Sequence, residues 1–322
     1  MSLVSIIIPC YNYGWLLAET LDSVLAQTYA EWECFVVDDG SVDNTRAVAE
    51  FYQSRDARFR YLYQANAGMS AARNMALCLA QGEFIQFLDA DDLLAPHKLA
   101  VQVAYLRKHP AVDVVYGDVR YFRHDAPAVL SRSFDMQDVP QLHHLEGSGL
   151  PVIESFVRQN EIVTNAPLLR ARLIELAGPF TEGLRSMEDW EFWLRCAMQG
   201  ARFKYEANPD TWALVRIHPT STSQNRSRMM DYTRQVREQL EASLHQLGAQ
   251  QAIAINREAL RSILEIQAAA EFQEGRPRMG WQKFWQLGRS TGRYTYYMRA
   301  ALYWLRQGPK NNNAVVGTPQ SR

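Results

Sequence analysis

The first hundred residues alternate between two hydrophobic periods. Nearly unbroken apolar runs at residues 3–8, 33–37 and 84–88 have the length and composition of strands covered on both faces, and Arg58–Tyr63 gives a further strand. Between them, apolar positions recur at helical spacing: Leu17, Leu21, Val24 and Leu25 fall at i, i+4, i+7 and i+8. Further helices are expected at about 45–53, where Ser41 or Asp43 offers a cap, and at 69–80, ended by Gly82. Pro9 closes the first strand, and Pro96 opens a helix over 96–108. Strand–helix alternation with short connections predicts an α/β fold, a mostly parallel sheet with helices on both faces.

Beyond residue 108 the pattern is more mixed. Strands are expected at 112–116 and 119–122, a helix at 151–159, a helix at 188–198 and strands at 202–205 and 212–217. Residues 124–149 carry several Pro, Gly and His and read as a surface excursion or lid. No element is assigned to residues 164–180. From about 227 to 306 the pattern is helical throughout, broken near Gly248 and at Gly275-Arg-Pro277. The expected division is an α/β domain over 1–225, a helical region over 226–307 and a disordered tail over 308–322.

In a parallel sheet, ligands bind beyond the carboxyl ends of the strands. The polar stretches Pro9 to Asn12, Asp38 to Ser41 and Asp89 to Asp92 all fall on that edge. The last is the most demanding chemically. Phe84, Ile85, Phe87 and Leu88 run straight into Asp89, Asp91 and Asp92. In extended backbone Asp89 and Asp91 share a face and Asp92 takes the other. Like charges so close call for a cation, and a hard divalent ion bridging a phosphate-bearing substrate fits; a solvated acidic turn is the plainer reading.

Composition narrows the partners. The chain has 322 residues, a hydrophobic fraction of 47% and a formal charge of −1. That is ample apolar material for a core, and the charge argues against nucleic acid as a partner. The four cysteines are scattered and read as small buried hydrophobes, which suits a reducing cytosol. Neither a secretory leader nor a membrane-spanning run is expected, so the localisation expected is cytoplasmic.

Five motifs then occur in order: Ile8-Pro-Cys-Tyr-Asn12, Val37-Asp-Asp-Gly-Ser41 with Asp43, Asn66-Ala-Gly-Met-Ser-Ala-Ala-Arg-Asn74, Phe87-Leu-Asp-Ala-Asp-Asp92 and Met187-Glu-Asp-Trp190. Together they resemble the family 2 glycosyltransferases, inverting enzymes of the GT-A fold that use nucleotide sugars. The resemblance covers roughly residues 3–223.

It implies a set of roles. Asp39 would accept from the N3–H of a uracil, with Pro9 and Tyr11 against base and ribose. Gly68 would let the backbone approach the nucleotide, and Arg73 would serve the base or phosphate side; an exposed helix face is the plainer reading of that arginine. Asp89-Ala-Asp91 corresponds to the family's DXD motif, with Asp89 towards the ribose and Asp91 on Mn2+ or Mg2+. His218 is a candidate third metal ligand. Arg216 would contact phosphate or lie on a strand face. Asp189 would be the base that deprotonates the acceptor, and Glu188 would face the acceptor or cap its helix. Trp190 would stack on a sugar or fill the core, while Phe192 and Trp193 read as core. Asp92 has no assigned role.

Departures shape the remaining expectations. The Gln-x-x-Arg-Trp pattern of processive synthases is missing, so one sugar per encounter is expected, from a UDP-sugar to a saccharide or lipid-linked saccharide. Thymidine offers the same N3–H. A nucleotidyltransferase would need a basic Gly-rich loop after the first strand, and Cys10-Tyr-Asn-Tyr-Gly14 carries no basic residue. A non-catalytic nucleotide-sugar-binding protein is the other rival. The helices near Trp281, Trp285 and Tyr294 are aromatic and basic. They would make peripheral contact with the inner face of a membrane, dock on the catalytic domain, or join two subunits in a homo-oligomer.

Overall fold

The computed structural model describes residues 2–140, 142–219, 221 and 226–307. The chain divides into two compact units, residues 1–253 and 254–322. The first holds two sheets. Strands β1 (Val4–Cys10), β2 (Trp32–Asp38), β3 (Phe59–Tyr63), β4 (Phe84–Phe87), β6 (Val114–Tyr116), β9 (Pro167–Arg170) and β10 (Phe203–Tyr205) form the larger. Its order is β10-β6-β9-β4-β1-β2-β3, and β9 alone runs antiparallel to its neighbours. Every residue of β1, β2 and β4 is buried, which is why their sequences carry no polar alternation. The smaller sheet, in the order β5-β11-β7-β8, joins β5 (Leu93–Leu94), β7 (Val119–Arg123), β8 (Ala126–Ser131) and β11 (Ala213–Ile217).

Helices α1 (Gly14–Leu25), α2 (Thr45–Arg55), α3 (Met69–Leu77) and α4 (Lys98–Lys108) connect the first strands. Later come α5 (Leu150–Arg158), α6 (Arg172–Ala177) and α7 (Glu188–Met198). One core gathers Ile6, Ile8, Leu17, Leu21, Val36 and Leu99 from strands and helices alike.

The structure departs from the sequence-based expectation in several places, among them α6 within residues 164–180, where no element was expected. Pro9 does not end its strand. β1 continues to Cys10, with Pro9 in register with Val37 of β2. The ladder to β4 stops at Ile7, so the missing proline N–H falls where that side of β1 has no partner. Residues 167–170, left unassigned, are β9, whose opening proline sits at the first strand position, where it is tolerated. Residues 124–149 contain β8, hairpinned onto β7 with a register shift between Phe122 and Arg123. Four consecutive β8 residues are exposed, so no alternation marked it.

After α8 (Arg226–Gln246), α9 (Gln250–Gln273) carries the unit boundary at residue 253. The second unit continues with α10 (Pro277–Thr291) and α11 (Thr295–Gln307), around a small core of Ala268, Phe272, Phe284, Leu287, Tyr296 and Ala300. Tyr303 stacks on both Phe272 (5.3 Å) and Phe284 (5.7 Å). α10 and α11 approach closely at Gly288, where an added Cβ would lie 2.6 Å from the Tyr297 ring. Among the described residues no helix is long and apolar enough to cross a membrane. The expected tail, 308–322, lies outside the described residues.

Candidate active site

The loops after β1 and β2 are locked together by short polar side chains. Asp38 accepts from the Ser41 N–H (2.8 Å) and the Tyr61 hydroxyl (2.9 Å). Asp43 accepts from the backbone N–H groups of Gly14 and Thr45, fixing the starts of α1 and α2. Asp39, 3% exposed, accepts from the Gln64 side chain and from the N–H groups of Ala67 and Gly68, at 2.7–2.9 Å. It therefore fixes the loop that delivers α3. Gly68 begins that helix at φ 96°, a conformation that strains any other residue. Pro9 is buried in β1, and Tyr11 just beyond it is 47% exposed.

At the middle of the same edge, the turn after β4 is held from four sides. The Thr20 hydroxyl donates to the Ala90 carbonyl (2.9 Å). The Asp89 N–H donates to Asn165 Oδ1 (2.9 Å), and Asp89 Oδ1 accepts from Arg73 (2.9 Å). Asp91 Oδ2 lies 2.8 Å from His218 Nε2. The backbone here is a turn, not extended as expected: the Asp92 N–H donates to the Asp89 carbonyl (3.1 Å), and the Asp92 side chain accepts from the Asn165 side chain and from the Arg216 N–H. It is buried, and burial raises its carboxyl well above the ordinary range. The carboxylate without an assigned role thus fastens the turn to β11 and the segment before β9.

Two arginines prove to be internal. Arg73 is 1% exposed and bridges Asp89 to Glu188 (2.8 Å), with the Phe180 ring 5.1 Å from its guanidinium. That excludes the exposed-helix reading. Arg216 is 3% exposed, donates to the Asp91 carbonyl and Glu19, and lies over Phe122. Through Asn165 and Asp92, the Arg73–Asp89–Glu188 group and the Asp91–His218–Arg216 group connect into one network.

Asp189 follows Glu188 in the chain but is held separately. It accepts from Asn160 (3.0 Å), the Thr164 hydroxyl (3.2 Å) and the Trp190 N–H (2.7 Å) at the start of α7. Burial, then the neighbouring Glu188 charge, raises its carboxyl from the ordinary value to about 6. Trp190 is core: its indole donates to the Phe156 carbonyl (2.7 Å), and Arg237 covers its ring.

Sequence reasoning missed the segment that supports both carboxylate groups. Asn160 and Thr164 hold Asp189, and Asn165 holds Asp89 and Asp92. Lys98, fully buried, donates to the Ala166 carbonyl (2.7 Å) and to Gln102, and burial pushes its pKa well down. The one available signal was Thr-Asn ahead of an Ala-Pro-Leu-Leu run. Asn165→Ala should lower stability by about 2–3 kcal/mol, because it strands buried partners around Asp92. Urea denaturation followed by tryptophan fluorescence reads this, and an unchanged midpoint contradicts it.

Beyond the ends of β6 and β10 lies a cavity of about 470 Å3, lined among others by Tyr116, Asp118, Arg120, His144, Glu161 and Tyr205. His144 stacks flat on Tyr205 at 3.6 Å, and the Tyr205 hydroxyl donates to Asp118. Its wall at Glu161 to Val163 belongs to the same segment whose Asn160 and Thr164 hold Asp189.

Among the described residues no group of three or more His, Cys, Asp or Glu is arranged to hold a metal ion. The donors at hand are Asp91 and His218, beside Asp89. Such a set fits a divalent ion that takes one or two carboxylates and completes its shell with substrate phosphates and water.

The profile described as Glycosyl transferase family 2 matches residues 5–171, just over half of the chain. The chain belongs to glycosyl transferase family 2. It is 34% identical over 197 residues to the uncharacterized glycosyltransferase RC0461 of Rickettsia conorii, covering 60% of this chain and 31% of that protein. Over 118 residues it is 45% identical to the UDP-Glc:alpha-D-GlcNAc-diphosphoundecaprenol beta-1,3-glucosyltransferase WfgD of Escherichia coli, covering 36% of this chain and 45% of that one. In each of these relatives the matched segment is less than two thirds of the protein.

Among solved structures, S. aureus TarS 1-349 in complex with UDP-GlcNAc aligns with a TM-score of 0.63 at 20% identity, over 97% of this chain and 93% of that one. The mannosyltransferase PcManGT from Pyrobaculum calidifontis, in complex with GDP-Man and Mn2+, aligns with a TM-score of 0.57 at 19% identity, over 96% and 87%. The likeness establishes a GT-A-like mixed α/β fold with a mainly parallel sheet and C-terminal helices.

Proposed function

We propose that this chain is an inverting, metal-assisted, non-processive glycosyltransferase moving a sugar from a nucleotide diphosphate sugar to a hydroxyl of a saccharide or lipid-linked saccharide. The observation that carries the reading is Asp189. It is a carboxylate held by Asn160 and Thr164, raised to about 6, and separate from the Asp89–Asp91 turn. A group that is ionised at neutral pH yet basic enough to take a proton suits general-base work.

In this reading the ends of β1, β2 and β3 take the nucleoside. Three donors already occupy Asp39, leaving about one of its four acceptor positions for the N3–H of a base. A UDP-sugar is the proposed donor, supported by the UDP-Glc in the name of WfgD and the UDP-GlcNAc bound to TarS. Asp91 and His218, with Asp89, would hold Mn2+ or Mg2+, which when bound neutralises charge on the departing diphosphate. Arg73 holds Asp89 and Glu188 in fixed relation. Asp189 takes the acceptor proton as the acceptor oxygen bonds to the anomeric carbon and the bond to the diphosphate breaks. Attack opposite the leaving group inverts that carbon. The cavity beyond β6 and β10 lies on the side of β4 away from the nucleoside strands and admits the acceptor.

This reading assigns catalysis to residues 1–225, leaves 226–307 as a helical region, and sets the enzyme in the cytoplasm. The diphosphoundecaprenol-linked acceptor in the name of WfgD supports the lipid-linked option. The test is a thermal-shift screen of nucleotide diphosphates and their sugars with and without Mn2+, paired with donor hydrolysis. A raised melting temperature with uridine diphosphates, and metal-dependent sugar release, are expected. Failure of every nucleotide sugar in both assays defeats the reading. Shifts without hydrolysis or transfer would leave a binding protein.

A further inference from the structure

The net charge of −1 conceals a sharp segregation. Residues 275–322 hold nine Lys/Arg and no Asp/Glu, so the preceding 274 residues carry 25 basic and 35 acidic side chains. Seven of the nine basic residues fall within 275–307, on and around α10 and α11; Arg276, Lys283 and Arg299 pair with Glu271, Glu274 and Glu265, and Arg278, Arg289, Arg293 and Arg306 are exposed outside those pairs.

The same two helices expose large apolar side chains in register. Tyr294, just before α11, is followed by Met298, Leu302 and Leu305 at i+4, i+8 and i+11, the spacing of one helix face. They are 73%, 53%, 50% and 81% exposed. The stripe is about 17 Å long at 1.5 Å per residue. Arg306 lies beside it on the wheel and is exposed. On α10 the exposed positions Arg278, Trp285 and Arg289 share one face, and Trp285 touches Tyr297 of α11 at 4.8 Å. The two exposed faces therefore join through an aromatic contact.

We propose that this face of α10 and α11 docks on an anionic lipid surface. An exposed apolar stripe costs free energy in water, and scattered single residues do not form one. Met and Leu would enter the acyl boundary, Trp285 and Tyr294 would sit at headgroup level, and the flanking guanidiniums would meet lipid phosphates. A second copy is disfavoured as the occupant, because self-association would bring the exposed Arg278, Arg289, Arg293 and Arg306 of one copy against the same cations of the other. The surface is independent of the sugar chemistry proposed above and adds to it a means of bringing the enzyme to membrane-borne substrates.

The experiment is co-sedimentation of the full chain with vesicles of phosphatidylglycerol or of phosphatidylcholine. Partition onto phosphatidylglycerol should exceed that onto phosphatidylcholine by at least about tenfold at 0.1 M salt, and collapse at about 1 M, where screening is nearly complete. Leu302→Ser/Leu305→Ser and, separately, Arg289→Gln/Arg293→Gln should each weaken it by about tenfold or more, with helix content by circular dichroism retained. No binding to phosphatidylglycerol, or binding undiminished in either folded variant, overturns the proposal. So does a dimer in sedimentation velocity that Leu302→Ser/Leu305→Ser dissolves while vesicles capture nothing. Donor hydrolysis without vesicles stays unchanged in both variants, so failure of the surface and failure of the enzymatic reading appear in different assays.

Discussion

Asp189→Asn is expected to lower sugar transfer by about 10³-fold while donor affinity, read by calorimetry, stays within about twofold. The amide keeps nearly the same shape and can still meet Asn160 and Thr164, so the loss isolates proton acceptance. In the wild-type protein the carboxyl is raised to about 6, chiefly by burial and then by Glu188. The base is neutral below that pH and ionised above it. Transfer should therefore climb as pH rises through about 6 and level off beyond it, and the variant's residual activity should lose this limb. Unchanged turnover, or the same limb in the variant, removes Asp189 as the base.

Asp91→Ala should reduce both transfer and donor hydrolysis by about 10³-fold and abolish their response to Mn2+, through loss of charge stabilisation on the departing diphosphate. The side chain is 17% exposed and its visible partner is His218, so its removal disturbs the fold less than removal of buried Asp92 would. Asp91→Ala should thus melt near the wild-type temperature, and Asp92→Ala well below it. Full activity of the Asp91 variant in the presence of a chelator would sink the metal-assisted reading.

Much of this arrangement was legible in the sequence because it follows from continuous apolar runs. β1, β2 and β4 are buried on every residue, so their hydrophobic stretches end abruptly at the polar edge that holds Asp38, Asp39 and Asp89. Helix α7 spans residues 188–198, as expected. The five motifs pointed to the family to which the chain belongs. What stayed hidden depends on distant pairing. β9 is four residues long, begins with proline and lies antiparallel among parallel strands, so neither period nor connection length marks it. Asn165 matters through bonds to residues 76 and 73 positions away, which no local pattern encodes. Arg73, expected on the base or phosphate side or on an exposed helix face, is buried between two carboxylates, a pairing with residues 16 and 115 positions away that no local pattern encodes.

The placement of β9 also bears on the order in which the molecule assembles. β4 and β6 lie on either side of it and share no ladder of their own. The middle of the sheet therefore closes only when a strand from residue 167 returns to pair with one at residue 84, a loop whose closure carries an entropic cost. The strand brings Asn165 with it, and the adjoining segment brings Asn160 and Thr164. A nascent chain released before residue 160 would already hold β1 to β4 and the side chains around Asp39, yet could not draw the Asp89–Asp92 turn into its final shape. Donor-side structure should then appear early in refolding and catalytic competence late, as one cooperative step set by the docking of a single short strand.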